Sequence, residues 1–298
     1  MAYAEIPLRR ALQPLIPSIQ RQFAIWNLRY RQVITYPRTI TSRVFSCLLL
    51  LLAIGNARAD WRSELSPPEP GGFPPLRSVK LEYQCGWAGL SAGTVDAQFL
   101  HPGPNVCELQ AKAATTGLAR ALWRLDATQE ARANLQTLKP LAVRQKEIYR
   151  NQTVRTDLEF DDSGVDRFRQ STNDKNPARR KHYDFPNLYD LQTALLYVRS
   201  QKLQTGQIYR IVVYPATSPY LATVTVLGRE RIKVKAGSYP AIKMDLRLEK
   251  VNGDMKLEPH GKFKRATGWL SDDEDRIPLR MYAQIFVGNV WVELEKVD

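Results

Sequence analysis

Histidine is scarce in this chain, and the three present, His101, His182 and His260, lie far apart with no ligand or base partner at a recognised spacing. A zinc site needs three or four ligands in definite geometry, so no metal is expected. Missing too is a glycine-rich loop opening a helix, the arrangement that cradles phosphate, and no cofactor is expected. No apolar run reaches the roughly 20 residues that carry a helix across about 30 Å of hydrocarbon. Helix signals are few, and no segment repeats.

The net charge of +13 overstates the basicity of the folded part. Residues 1–59 hold eight arginines against Glu5, a balance of +7, which leaves +6 for residues 60–298. That is moderate for a domain of this length and argues against a nucleic-acid partner. The apolar run 44–54 follows Arg38 and Arg43 and precedes Ala57-Arg58-Ala59. Basic flank, apolar core and A-x-A site stand in the order of a secretory signal peptide, so cleavage after Ala59 and a periplasmic location are expected. A retained inner-membrane anchor is the alternative. Once the signal is removed, the protein would be membrane-proximal but not spanning.

Residues 60–78 include Pro67-Pro68-Glu69-Pro70-Gly71-Gly72-Phe73-Pro74-Pro75, which excludes helix and central strand and reads as a linker or extended arm. A single β-rich domain over 79–298 follows. Val95, Ala97 and Phe99 alternate with polar neighbours, as do Ile242, Met244, Leu246 and Leu248, which predicts strands with one dry face. Residues 106–113, 140–149 and 153–161 read as further strands, and 286–291 as a hairpin turning at Gly288-Asn289. Leu188, Leu191, Ala194, Leu195 and Val198 share one face of a helix that Asp190 can cap, and a shorter helix is expected over 118–123. The basic stretch 167–182 reads as a loop. The fold class is mainly β: a curved antiparallel sheet forming an open half-barrel or incomplete barrel with one or two helices. Export would leave Cys85 and Cys107 where disulfides persist, and a bridge between them would close about 20 residues and add about 3 kcal/mol; two buried free thiols are the alternative.

Two motifs invite catalytic readings. Gly89-Leu90-Ser91-Ala92-Gly93 is a literal G-x-S-x-G, but strand-like residues flank it on both sides, where a nucleophile elbow needs a strand-to-helix turn. Asp272, Asp273, Glu274 and Asp275 crowd one connection between strands; solvation and pairing with Arg276 and Arg280 account for them more simply than a calcium loop or an acid/base pair.

Gly86-Trp87-Ala88-Gly89-Leu90-Ser91-Ala92-Gly93, residues 190–199 (DLQTALLYVR), Ala236-Gly237-Ser238-Tyr239-Pro240-Ala241 and the stretch 269–280 occur in that order. With them the chain resembles the bacterial family called domain of unknown function 3108 over about residues 79–296. The resemblance implies an exported β-rich domain with a curved sheet, akin in fold to the half-barrel lipoprotein carriers of the envelope. It carries over no catalytic residues, and the long proline-interrupted leader departs from the pattern.

The expected role is non-enzymatic: an envelope protein binding a hydrophobic or amphiphilic ligand, or a lipidated partner, in the concavity of the sheet. Trp87, Trp269 and Tyr282 are the candidate apolar contacts, with Arg276 or Arg280 at the rim for an anionic head group. A protein-interaction module of the envelope is the first alternative. A hydrolase using Asp272, Asp273 or Asp275 is the second.

Overall fold

The computed structural model describes residues 60–173, 178–261, 263–285 and 288–298. The expected leader lies outside them, as do Phe286 and Val287 of the expected hairpin. Every long apolar-alternating segment of the sequence is a strand. In chain order come β1 (Val79–Trp87), β2 (Leu90–Gly103), β3 (Val106–Thr115), α1 (Gly117–Leu122), β4 (Leu125–Asn134), β5 (Pro140–Tyr149), β6 (Thr153–Phe160), β7 (Gly164–Ser171) and β8 (Ala178–Asp184). They are followed by α2 (Leu191–Ser200), β9 (Ile208–Val213), β10 (Tyr220–Val234), β11 (Gly237–Val251), β12 (Leu257–Pro259), β13 (Phe263–Ser271), β14 (Pro278–Ile285) and β15 (Asn289–Val297).

These fifteen strands make one open antiparallel sheet, in the order β8-β7-β6-β5-β4-β3-β2-β1-β15-β14-β13-β11-β10-β9, with β12 beside β11. Nearly every pair is a neighbour in sequence, so local hairpins build most of it; the β1–β15 pairing joins the two arms. A sheet this long twists and curls. The curl brings Val212 and Tyr214, at and just after β9, against Val143, Leu158 and Val165 of β5 to β7. Residues 209, 211 and 213 of β9 face a second cluster, beneath α2, so this terminal strand is dry on both sides.

The helix is what the curve encloses. Asp190 Oδ1 accepts from the Thr193 amide at 2.9 Å while Thr193 Oγ1 accepts from the Asp190 amide at 3.0 Å, a capping box that fixes the first turn. From there Tyr197 and Val198 pack on β9 to β11, and Leu196 points to the central core of Leu81, Leu279 and Leu294. The helix thus plugs the seam between two clusters.

Two expectations need correcting. Residues 167–171 and 178–182 are not loop; they lie on β7 and β8, which pair from Gly164↔Asp184 to Gln170↔Ala178. Their polar residues on both faces hide the alternation, and an edge strand tolerates them because one side stays wet. The Cys85–Cys107 bridge is the other. Cys85 pairs across β1 and β2 with Gly93, and Gly93 with Thr115, eight residues further along β3 from Cys107, or about 27 Å at ~3.4 Å per residue. A disulfide needs the Cα atoms within about 7 Å. Both thiols are free.

Alkylation of the unfolded, unreduced protein should therefore modify both Cys85 and Cys107 in peptide maps. Two cysteines that react only after reduction would contradict this strand register.

Candidate functional site

Between α2 and the sheet lies a groove of about 310 Å³. One wall is Leu191, Ala194, Leu195 and Val198, the helix face at spacing i, i+3, i+4, i+7. The other comprises Ile211 and Val213 of β9, Ala222 and Val224 of β10, Met244, Leu246 and Leu248 of β11, and Ala266, Gly268 and Leu270 of β13. Apart from Tyr220, Arg280 is the one ionisable residue of this aliphatic and aromatic lining, among the described residues. Leu191 and Met281, 58% and 39% exposed, mark its mouth. Gly268 stands opposite Met244 on one side and Met281 on the other, and a Cβ there would meet nothing within 4 Å. The missing side chain is part of the room in the groove.

Of the residues singled out from sequence, Trp269, Arg280 and Tyr282 come together. Trp269 and Arg280 face each other in register, Tyr282 meets the indole edge-on at 6.0 Å, and the Arg280 guanidinium lies 5.8 Å from the Tyr282 ring. Trp269 is 9% exposed, its Nε1 donates to Glu230 Oε1 at 2.7 Å, and Lys243 Nζ sits 5.5 Å over its ring. The indole donor and then Lys243 hold the Glu230 carboxyl below its ordinary range. Arg280 Nε and Nη2 donate to Glu293 Oε2 at 2.8 and 2.7 Å, and Nη2 also reaches the Lys233 carbonyl. Its charge is matched within the fold, on the sheet face opposite to Gly268 and Met281, so Arg280 is not free to take a head group. Trp87 stands apart, 45% exposed at the end of β1.

Arg276 is not at the rim. Its Nη1 donates to the carbonyls of Arg199 and Gln201, at 2.7 and 2.6 Å, where α2 ends with unsatisfied acceptors and a negative dipole end. Its guanidinium stacks 3.5 Å from the Phe73 ring, with that of Arg199 5.1 Å away from the same ring. Burial, followed by the neighbouring Arg276 charge, lowers Arg199 to about 10, still cationic at neutral pH. Its Nε and Nη1 donate to the Asp275 and Pro74 carbonyls at 2.7 and 2.6 Å.

The proline-rich segment is thereby an extended arm docked along α2. Tyr197 and Tyr189 hydroxyls donate to the Pro67 and Pro68 carbonyls at 2.7 and 3.3 Å, and Gly71 approaches so closely that a Cβ would lie 2.1 Å from the Ser200 carbonyl oxygen. A proline-rich chain offers carbonyls and few amides, and the helix supplies hydroxyl and guanidinium donors to match.

The acidic connection is held by other partners than expected. Asp272 pairs with Arg229 at 2.8 Å and Asp275 with Arg77 at 2.9 Å, both distant in sequence. Asp273 Oδ1 accepts from the Ser271 hydroxyl and from the amides of Asp275 and Arg276. These carboxylates organise a turn, and the local pairing with Arg276 and Arg280 does not form. Ser91 of the G-x-S-x-G stretch follows a two-residue turn, Ala88-Gly89, with φ of 48° and 83°, and its hydroxyl accepts from Gln84 Nε2 at 2.9 Å. That is a β-hairpin, not a nucleophile elbow. Among the described residues no group of three or more His, Cys, Asp or Glu side chains is arranged to hold a metal ion. His182 lies between Asp166 and Asp184, at 2.8 and 3.1 Å, which raises its pKa, the Asp166 hydrogen bond first.

A larger concavity, about 930 Å³, runs over β1 to β7. Cross-strand rows such as Lys80, Gln98, Gln110, Glu130, Arg144 and Asp157 pave it with alternating charges and amides, the expected wet face of such a sheet. The smaller groove is the candidate site because its lining is dry.

The chain belongs to the family described as protein of unknown function DUF3108, which it matches over residues 82–295. No curated protein matches it. Among solved structures it is similar to a β-barrel-like protein of domain of unknown function DUF1849 from Brucella abortus, at 13% identity and a TM-score of 0.50, covering 76% of this chain and 98% of that one. That likeness concerns the fold alone. A provisionally identified exported protein with a YmcC-like fold from Bacteroides fragilis shares 10% identity over 77% of this chain and 99% of that one, with a TM-score of 0.35. A provisionally identified lipoprotein from Parabacteroides distasonis shares 9% over the same fractions, with a TM-score of 0.30. Among the described residues no helix is long and apolar enough to cross a membrane.

Burial raises the Asp190 carboxyl from its ordinary 3.8 to about 6, against the smaller lowering effect of its hydrogen bonds, and Oδ2 has no partner. Because the folded pKa is the higher one, the native state binds more protons between these values, and stability falls as pH rises through that window, by up to about 3 kcal/mol at ~1.4 kcal/mol per pKa unit. Asp190→Asn keeps a good cap. Urea unfolding at pH 4.5 and 7.5 should show wild type losing stability relative to this variant as pH rises; a constant difference would contradict the assignment.

Proposed function

We propose that this member of the DUF3108 family is an exported envelope protein that binds the apolar chain of a hydrophobic or amphiphilic molecule, or of a lipidated partner, in the groove beneath α2, without catalysis. The observation that carries the reading is the groove's composition. Its walls are hydrocarbon from both the helix and the strands, and Gly268 leaves space where any other residue would fill it. Soluble domains ordinarily close such space, because each unfilled methylene costs about 1 kcal/mol. Ligand sites run from about 300 to 1,000 Å³, so a groove of 310 Å³ suits one chain better than a multi-chain lipid.

Binding would be driven by removal of apolar surface from water, about 0.8 kcal/mol per buried methylene, less the cost of immobilising the ligand. With Arg280 already bound to Glu293, the polar end of an amphiphile would sit in water at the mouth beside Leu191 and Met281. The non-catalytic part of the reading is supported by the carboxylates of the acidic turn, whose partners are arginines and backbone amides of the fold. Export is supported by the apolar run 44–54 and the A-x-A site after it.

A second reading, an interaction module of the envelope, has one observation in its favour. β8, the last strand of the sheet, carries Arg179, Arg180 and Lys181 exposed, and its outer edge pairs with no strand among the described residues, chemistry suited to an acidic extended partner.

Native mass spectrometry of the protein isolated from its host without harsh detergent, with lipid extraction of the same sample, tests the first reading. Wild type should carry or take up one single-chain amphiphile such as dodecanoate or a lysophospholipid. Gly268→Phe should lose at least about tenfold in affinity, the equivalent of ~1.4 kcal/mol, with an unchanged or higher melting temperature. Wild type without adduct or uptake would overturn the reading, as would a Gly268→Phe variant that binds normally.

A further inference from the structure

Eleven large apolar side chains are exposed among the described residues, and five of them gather at one end of the sheet. Trp87 and Leu90 flank the Ala88-Gly89 turn and face each other as the last pair of β1 and β2. Leu118, Leu122 and Trp123 belong to α1 and its C-cap. The two segments adjoin, since Gly93 of β2 pairs with Thr115 of β3 and the Thr116 amide donates to the Ala92 carbonyl at 3.0 Å. Leu118 and Leu122, four apart, share one side of the helix, 64% and 67% exposed. Trp123 is 57% exposed and leans on Tyr149 at 6.1 Å.

The charges around this tip have one dominant sign. Residues 86–95 and 115–125 contain no carboxylate. Arg120 and Arg124 share the single carboxylate of Asp126, and Arg150 donates to the Ala121 carbonyl at 2.6 Å, beside the exposed leucines. Indole and leucine at a projecting tip, with guanidiniums behind them, is the chemistry of a bilayer interface, where aromatic rings sit at the headgroups and cations meet anionic lipid. The exposed area of these five side chains is roughly 600 Å², at the upper end of the about 300–600 Å² that the largest patch on a monomer reaches and short of the about 800 Å² per partner that a stable protein interface buries. A turn and a helix of two turns also project, and a deformable surface accepts projections without a matching cavity.

We propose that the β1–β2 turn and α1 form a docking face that inserts Trp87, Leu90, Leu118, Leu122 and Trp123 into the surface of an anionic lipid bilayer. This face is separate from the groove and needs no ligand in it. The two are nevertheless joined by one row across the sheet, Trp87, Val290, Ala283, Ala266 and Leu246, the last two lining the groove three and four strands away, or about 14 and 19 Å.

Hydrogen exchange of the full chain, with and without vesicles of phosphatidylglycerol and phosphatidylethanolamine, reads the contact locally, however else the chain is held on the lipid. Amides of 86–91 and 117–123 should exchange about fivefold or more slowly on the vesicles, with β7 and β8 unchanged. Leu118→Ser/Leu122→Ser/Trp123→Ser should abolish that slowing, and Leu90→Ser, outside the helix, should weaken it even if the triple variant fails to fold. Equal exchange with and without vesicles would overturn the proposal. So would slowing that grows with protein concentration in the absence of lipid, which would mark a second copy of the chain as the occupant.

Discussion

The whole architecture depends on one helix being held inside one sheet. An antiparallel sheet of fifteen strands has a long apolar face, and twist alone turns that face inward without covering it. At ten residues α2 is short for the task, and it would be marginal as an isolated helix. Its stability comes from both ends being tied down: Asp190 and Thr193 close the first turn, and Arg276 reaches from the acidic connection to take the carbonyls of the last. With the helix fixed, Tyr197 and Leu196 divide it between two cores, and Leu191 and Ala194, on the face whose Val198 packs on the strands, are left lining open space. The groove is what remains where the plug does not fill the curve.

The extended arm and the acidic turn serve this same contact. Phe73 lies against two guanidiniums, those of Arg199 and Arg276, which without an aromatic face and several carbonyl acceptors would be like charges buried together. Asp275 contributes its carbonyl to Arg199 and its carboxylate to Arg77 at the root of the arm. One small region thus anchors helix, arm and turn. Arg276, which the sequence suggested as a rim cation, is 9% exposed and one of the more consequential structural residues.

Much of this was legible in the sequence. The two helices, the alternation of β11, the hairpin at Gly89 and the turn before β14 follow from local pattern, because their causes are local: a capping residue, a period of two, a glycine at positive φ. The groove was half legible, since the helix face and the β11 face could each be read but not their juxtaposition. What escaped has long-range causes. The β7–β8 hairpin hid behind polar residues on both faces, the arm's partners are backbone carbonyls that no side-chain pattern announces, and Asp272 and Asp275 take arginines 43 and 198 residues away. The expected Trp87, Trp269 and Tyr282 cluster failed in part for the same reason: Trp87 lies at a strand end, and Trp269 spends its indole donor on Glu230.

If the space beneath α2 accepts an alkyl chain, diffraction from crystals grown with 12-bromododecanoate, recorded at the bromine edge, will locate it there. An anomalous peak is expected between Ala194 or Val198 of the helix and Met244 or Gly268 of the strands, with the carboxylate toward Leu191 and Met281. A bromine found only elsewhere on the protein, or a groove closed by Met244 and Met281 at saturating ligand, would contradict it.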